Sequence, residues 1–230
     1  MKLPDKTADI EEAISEIPDG ASVMIGGFGV PGTPFCLIDE LVRHGAKNLT
    51  VIKNDANETG MGIDHLMQNG QVSRLVSTHI GLNPKAIERM NTGEIKVELC
   101  PQGILAERIR AGGAGLVGIL TDIALGTELG ENKQMVEING TMTIIETALR
   151  ADFALIHADS SDPFGNLAYV SSAQNFNPLM AMAANTVIAE TENLLPLGEL
   201  KPNHIHTPGP FVDRVVYLDK LTKEYAVVRR

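Results

Sequence analysis

The stretch Asp19–Pro34, reading DGASVMIGGFGVPGTP, constrains this chain more than any other. An Asp-Gly turn leads into Ala21-Ser22-Val23-Met24-Ile25, an apolar run of the length of a buried strand. The strand empties into Gly26-Gly27-Phe28-Gly29-Val30-Pro31-Gly32. A helix is predicted to begin at Thr33-Pro34, with the threonine as cap and the proline in the first turn. Strand, glycine loop and helix start in that order gather backbone N–H groups and a positive helix end at one place, which suits an anion. The spacing is neither GxGxxG nor GxxxxGK[ST], so it points to neither a dinucleotide fold nor a nucleoside-triphosphate loop. Two readings stay open from these residues alone: a ligand loop, or a tight turn using glycine's backbone freedom.

The rest of the chain repeats the strand–helix alternation. Helices are predicted over 8–17, 34–45 (Phe35, Ile38, Leu41 and Val42 inward, stopped at Gly45), Ile63–Gln68, from Pro84 through Met90, and Leu105–Ala111. Between them lie strands at Leu49–Ile52, Leu75–Thr78 and Ile95–Leu99. This order gives right-handed crossovers and a parallel sheet covered on both faces. Ligands of such folds gather beyond the carboxyl ends of the strands. The tips GGFG, KNDA and CPQG are therefore expected on one rim.

The second half changes texture. Gly112–Gly130 carries six glycines and reads as irregular chain. Met135–Ile138, Asn139-Gly140 and Thr141–Ile145 form a hairpin signal. Further strands are predicted at Phe153–His157, Thr186–Ala189 and Val215–Leu218, with a helix over Leu179–Ala184. No repeat or linker is visible, so the expectation is one domain, 1–230, with an inserted hairpin.

Composition excludes several classes. With a net charge of -10 and no basic cluster except Arg229-Arg230, the chain does not read nucleic acid. Met1–Lys6 lacks the apolar core of a signal peptide, and no run approaches a membrane span. Cys36 and Cys100, the two cysteines, are expected as buried thiols in a reducing cytoplasm, not as metal ligands or a disulfide.

Among polar residues, Asn54 and Asp55 sit at a strand tip, either lining a cleft or capping the next helix. Gln102, at another tip, either hydrogen-bonds a ligand carbonyl or starts a helix. His204 and His206 lack a third ligand, so no metal is expected. His79 and His157 are read as satisfied groups at the core's edge, and Met180 and Met182 as helix packing. Ser160-Ser161 and Ser171-Ser172 have no G-x-S-x-G context. Asp39-Glu40 is read as a helix's solvated side.

The full pattern from Asp19 to Pro34 resembles the signature of family I CoA-transferases, in their alpha (A) subunit. The likeness extends through Asn54-Asp55, Thr59–Gly62, Ser77–Gly81 with Asn83-Pro84, and Pro101-Gln102-Gly103. It continues through Ala106–Gly115, Ala151-Asp152, Gly165-Asn166 and Asn175–Pro178. It is of the acetate/butyrate–acetoacetate, 3-oxoacid type. The resemblance implies an open, Rossmann-like α/β fold. It also implies a ping-pong transfer of CoA from a short-chain acyl-CoA to a carboxylic acid such as acetoacetate, through a glutamyl-CoA thioester. The nucleophilic glutamate is then expected on a beta subunit, in a Ser-Glu-Asn-Gly-like motif. Glu131-Asn132 and Glu192-Asn193 here lack both flanking residues of that motif.

Carried over by position, Gly26, Gly27, Phe28, Gly29, Val30, Pro31 and Gly32 become a CoA-binding loop. Asn54 and Asp55 line the cleft, and Gln102 orients the thioester. CoA or acyl-CoA is expected as substrate with no permanently bound cofactor, and an α2β2 assembly as the quaternary form. Ile104 and Leu120–Ala124, with Asp122, depart from the family pattern beside the acyl position, so substrate identity stays open. The alternatives are a sugar-phosphate isomerase and a non-catalytic CoA-binding subunit.

Overall fold

The computed structural model describes residues 3–225. The Arg229-Arg230 pair and Met1-Lys2 lie outside the described residues. Asp9 caps α1 (Ile10–Ser15) by accepting from the Glu11 N–H at 2.9 Å. There follow β1 (Ser22–Ile25), α2 (Phe35–His44), β2 (Leu49–Ile52), α3 (Ile63–Gln68), β3 (Val72–Ser77), α4 (Pro84–Thr92), β4 (Lys96–Leu99) and α5 (Gln102–Gly113). A satellite region carries β5 (Gly118–Thr121), β6 (Met135–Ile138) and β7 (Thr141–Thr147). The chain then returns through β8 (Ala151–Ser161), β9 (Leu167–Ala168), α6 (Asn177–Ala183), β10 (Ala184–Leu194) and β11 (Arg214–Tyr217).

The main sheet has eight strands in the order β11-β10-β8-β1-β2-β3-β4, with β9 pairing antiparallel on β8 and every other pair parallel. β1 is where the winding reverses: the chain moves outward through β2, β3 and β4, then resumes on the other side of β1 with β8. Right-handed crossovers in two directions place the helices on opposite faces. Accordingly Val23 and Ile25 pack with Leu37, Ile38, Leu41 and Leu66 on one side. Met24 packs with Ile104, Leu105, Ile109 and Met180 on the other. The alternation along β1 is the period-two signature of a strand buried on both faces.

Several sequence-based expectations change here. Thr33 does not cap α2: its hydroxyl donates to Gly29 O at 2.7 Å, and the helix starts one residue after Pro34. Glu40 is buried rather than solvated, because α2 lies between α1 and α3; it pairs with Arg43 one turn on. The glycine-rich 112–130 segment holds a strand, β5, which pairs antiparallel with β7 to make a three-stranded sheet with β6. Strands β8 and β10 run well past their apolar cores, paired from Ala151/Ala184 to Ser161/Leu194. α6 begins at Asn177, before the predicted Leu179.

Arg108 fastens the satellite sheet to the main one. Its guanidinium is 8% exposed, donates to Thr147 O at 2.8 Å, and meets Glu98 of β4 at 2.9 Å. Burial works against ionisation of Glu98, but Arg108 and Arg74 outweigh it and hold the carboxyl below its ordinary range. Replacing Arg108 by Met strips Thr147 O of its donor and leaves Glu98 with Arg74 alone. We expect a loss of about 2 kcal/mol and a fall in Tm of roughly 4–8 °C by calorimetry; an unchanged Tm would show that the clamp carries no stability.

Candidate active site

The tips of β1, β2, β3 and the start of α5 meet around a cavity of about 360 Å³. Its walls include Phe28, Gly29, Val30, Asn54, Asp55 and Gln102. The sequence-predicted cleft residues and the middle of the glycine loop are thus brought together. Gly26 and Gly27 are buried below them, and Pro31 and Gly32 face a separate cavity with His157 and Glu192.

The loop's path is fixed by close approach. A Cβ on Gly26 would stand 1.8 Å from Asn177 Oδ1, and one on Gly27, at φ +98°, 2.0 Å from Thr33 Oγ1. Asn175 donates to Pro31 O at 2.9 Å and Asn177 to Gly32 O at 3.0 Å, so the Asn175–Pro178 segment splints the loop from outside.

On its inner side the loop is tied to the tip of β2. Asp55 Oδ2 accepts from Gly29 N–H at 2.8 Å and from the Asn54 amide at 2.9 Å, and Oδ1 accepts from Asn57 N–H at 2.9 Å. Asn57 returns its amide to Gly29 O at 2.8 Å. Beneath lies Lys53, fully buried, its ammonium 3.5 Å from Asp55 Oδ1 and without a hydrogen-bond partner. Burial opposes ionisation of Asp55. Lys53 and the donors from Gly29, Asn54 and Asn57 overcome that and hold its carboxyl below the usual range. Burial likewise lowers the Lys53 ammonium, with Asp55 opposing.

Of its two sequence readings, Gln102 takes that of a helix start. It is the first residue of α5, and its amide donates to Asn54 Oδ1 at 2.7 Å. Thr78 adds a bond to Asn54 O at 2.7 Å. Asn54 is therefore held from three sides and does not serve as a helix cap. The opening N–H groups of a helix have no intrahelical partner, so the start of α5 presents partial positive charge beside Gln102.

The start of α2, by contrast, is already filled. Its Leu37 N–H goes to the fully buried Glu190 at 2.9 Å and its Phe35 N–H to the Tyr225 hydroxyl at 3.0 Å. Glu190 also meets His157 at 2.9 Å and the Tyr225 hydroxyl. The anion expected at that helix end is supplied by the protein itself. His157 is, as read from the sequence, a satisfied group at the core's edge. His79 is not: it is exposed on the cavity wall with no side-chain bond among the described residues.

Other nucleophiles are ruled out by environment. Burial, reinforced by Glu190, pushes the Cys36 thiol up to about 12, and burial also raises Cys100. Neither supplies thiolate near neutrality. Glu131 is exposed in the satellite region, and Glu192 faces the separate cavity. The carboxylates on the 360 Å³ cavity are Asp55 and Glu58. One group of ligand-type atoms converges elsewhere, Asp39, His65 and Glu224, within 4.8 Å of one another. His65 and Glu224 already bond each other at 2.7 Å. His206 instead accepts from Tyr169 N–H at 2.9 Å.

With that geometry in place, the comparisons decide the family. The sequence matches the Coenzyme A transferase family over residues 7–218. This chain belongs to that family. It is 48% identical over 212 residues to the probable coenzyme A transferase subunit alpha of Bacillus subtilis, covering 92% of this chain and 93% of the relative. The acetoacetyl-CoA:acetate/butyrate CoA transferase alpha subunit of Clostridium acetobutylicum is 46% identical over 214 residues, covering 93% and 98%. Among solved structures, an acyl-CoA transferase from Escherichia coli O157:H7, captured as a thioester complex with CoA, superposes with a TM-score of 0.84 at 23% identity. This chain covers 48% of that longer one with 96% of itself, and the likeness establishes the shared fold. The α/β fold expected from the sequence is the one observed, and the enzyme class is that of a CoA-transferase.

Lys53, Asn57 and Glu58 were not singled out in the sequence. A buried lysine beside a strand-tip Asp has no periodic signature, and Asn57's positive φ of 54° is invisible in a residue name. Replacing Lys53 by Met tests the buried pair. A depressed carboxyl contributes stability above its unfolded pKa, near 3.9, and loses it as pH falls through the lower folded value. Without Lys53, only the donors from Gly29, Asn54 and Asn57 oppose burial, so the Asp55 pKa rises relative to wild type and protonation on acidification relieves the variant. We expect a gap of about 2 kcal/mol between wild type and Lys53→Met at pH 7, narrowing as pH drops toward 4; urea unfolding at several pH values measures it. A gap independent of pH would mean that Lys53 does not hold Asp55 ionised.

Proposed function

We propose that this chain is the alpha subunit of a CoA-transferase moving CoA between a short-chain acyl-CoA and a carboxylic acid of the acetoacetate type. It acts as one domain with a companion beta subunit in an α2β2 assembly. The observation that carries this reading is the continuous set of bonds from Asp55 through Asn54 to Gln102 along the wall of an apolar cavity, in a family whose members exchange CoA.

In the mechanism that fits, a glutamate of the companion, in its Ser-Glu-x-Gly segment, attacks the thioester carbonyl. CoA leaves as thiolate and an acyl–glutamyl anhydride remains. The thiolate then attacks the glutamyl carbonyl, releasing the first acid and forming the glutamyl-CoA thioester. The acceptor carboxylate reverses both steps. Each attack puts negative charge on a carbonyl oxygen, which needs donors in place beforehand. On this chain the donors facing the cavity are the second N–H of the Gln102 amide and the opening N–H groups of α5. Asn54 holds the Gln102 amide in orientation.

The loop Gly26–Gly32 bounds the CoA thioester, with Phe28, Gly29 and Val30 against its reacting end. Because α2's first N–H groups are occupied, the loop acts as a wall and not as a phosphate cradle. Apolar lining at Val30, Ala56, Met61 and Ile80 keeps water from the anhydride, which would otherwise hydrolyse. Asp55, with both oxygens bonded, stays structural. CoA enters as substrate, and no resident cofactor is required by these steps. The absence among the described residues of any helix long and apolar enough to cross a membrane is compatible with the cytoplasmic setting we assign.

Three measurements test this. The purified chain should exchange no CoA between butanoyl-CoA and acetoacetate by itself and should do so once combined with its companion. Mass spectrometry of the trapped thioester should then find it on the companion; a thioester on Glu58 or Asp55 would overturn the assignment. In the active complex, Gln102→Ala should lower kcat by about 10²-fold with the assembly intact on gel filtration, and an unchanged kcat would remove Gln102 from the site.

A further inference from the structure

Glu58 stands on the cavity wall among groups that, His79 apart, are apolar or already bonded. The wall has Val30, Ala56, Met61, Ile80 and Leu82 as its aliphatic side chains and contains no lysine or arginine. Lys53, one residue before the lining residue Asn54, is fully buried and faces Asp55 instead. Glu58 has no ion pair and no side-chain hydrogen bond among the described residues, and it is exposed where the cavity opens. Its position is not left to a loose loop. Asn57 anchors the residue before it through Gly29 O, and Asn57 Oδ1 accepts from Ile63 N–H at 3.1 Å, closing the turn at the head of α3. An uncompensated carboxylate therefore stands at the mouth of the space that the acyl chain would fill.

We propose that Glu58 is a specificity-determining residue that rejects acyl groups carrying a second carboxylate, so that the site accepts uncharged chains, plain or 3-oxo, in preference to dicarboxylic ones. This rests on the acyl-transfer reading above. An ω-carboxylate entering this cavity would give up water to an apolar wall, meet a like charge, and find no cation to pair with. Two like charges a few ångströms apart at a partly solvated site repel, and a rate ratio reads that repulsion as about tenfold. Discrimination thus comes from an installed repulsion, in the sense that specificity needs an unfavourable term against the wrong ligand. An aliphatic chain meets only the apolar wall and is unaffected by that term.

The test uses the complex of this chain with its companion subunit, with butanoyl-CoA and succinyl-CoA as alternative donors to acetoacetate at pH 8. The quantity read is the ratio of kcat/KM for succinyl-CoA to that for butanoyl-CoA. Glu58→Gln should raise the ratio about tenfold, Glu58→Lys should raise it further, and Glu58→Asp, which keeps the charge, should leave it near the wild-type value. Raising ionic strength should shrink the difference between wild type and Glu58→Gln, since exposed charges are screened. Turnover of butanoyl-CoA with the same ratio in all four proteins overturns this inference alone. Failure of the wild-type complex to turn over either donor overturns the transferase reading and this inference with it.

Discussion

The bond from Gly29 N–H to the Asp55 carboxylate is the contact on which the site depends. β1 and β2 are neighbours in the sheet, but the segments that leave them diverge, one as a glycine loop toward α2 and the other toward α3. Nothing in a parallel sheet obliges those two exits to stay together once the strands end. A carboxylate can hold them because it accepts several N–H groups at once, provided that it keeps its charge out of water. Lys53 makes that possible from below at 3.5 Å. The result is a path from Lys53 on one side of the sheet, through Asp55 and Asn54, to Gln102 on the other. Bonded chains of polar groups favour one arrangement, and Lys53 joins this one through charge alone, its ammonium having no hydrogen-bond partner.

The strand–helix alternation was legible in the sequence because it rests on short-range periodicity. α3 was placed residue for residue, and β1, β2 and β4 to within a position at each end. What escaped needed tertiary partners. β5 lies in a glycine-rich segment with only Ile119 and Leu120 to announce it, and it exists because β7 pairs with it. The outer halves of β8 and β10 carry Asp159, Ser160, Thr191 and Glu192, residues that signal a loop until each strand is seen to supply the other's ladder. Thr33 illustrates a competition. Its hydroxyl has two local acceptors or donors to choose from, and the turn at Gly29 wins over the helix end. The cleft residues Asn54, Asp55 and Gln102 followed from their places at strand tips and from the family likeness. Their mutual bonds, and the lysine under them, did not.

The two helix starts at this rim divide the labour. α2 turns its first N–H groups inward, to Glu190 and Tyr225, and becomes a fixed strut. α5 instead begins at the cavity, with Gln102 in its wall. The mouth is flanked by Phe28 and Leu82, 50% and 65% exposed, which makes an apolar rim. A companion polypeptide closing over that rim would cover the apolar surface and, in doing so, exclude solvent from the chemistry.

Tyr225 belongs to the last stretch of a chain of 230 residues, yet its hydroxyl bonds both Thr33 O and the opening of α2, and its ring packs edge-on to Phe35 at 5.0 Å. The tail is thereby stitched into the foundation of the glycine loop on the opposite side from Asp55. For anyone engineering this protein, a change at Tyr225 consequently reaches the loop: losing its hydroxyl leaves Glu190 with one donor fewer and the Phe35 N–H without that acceptor.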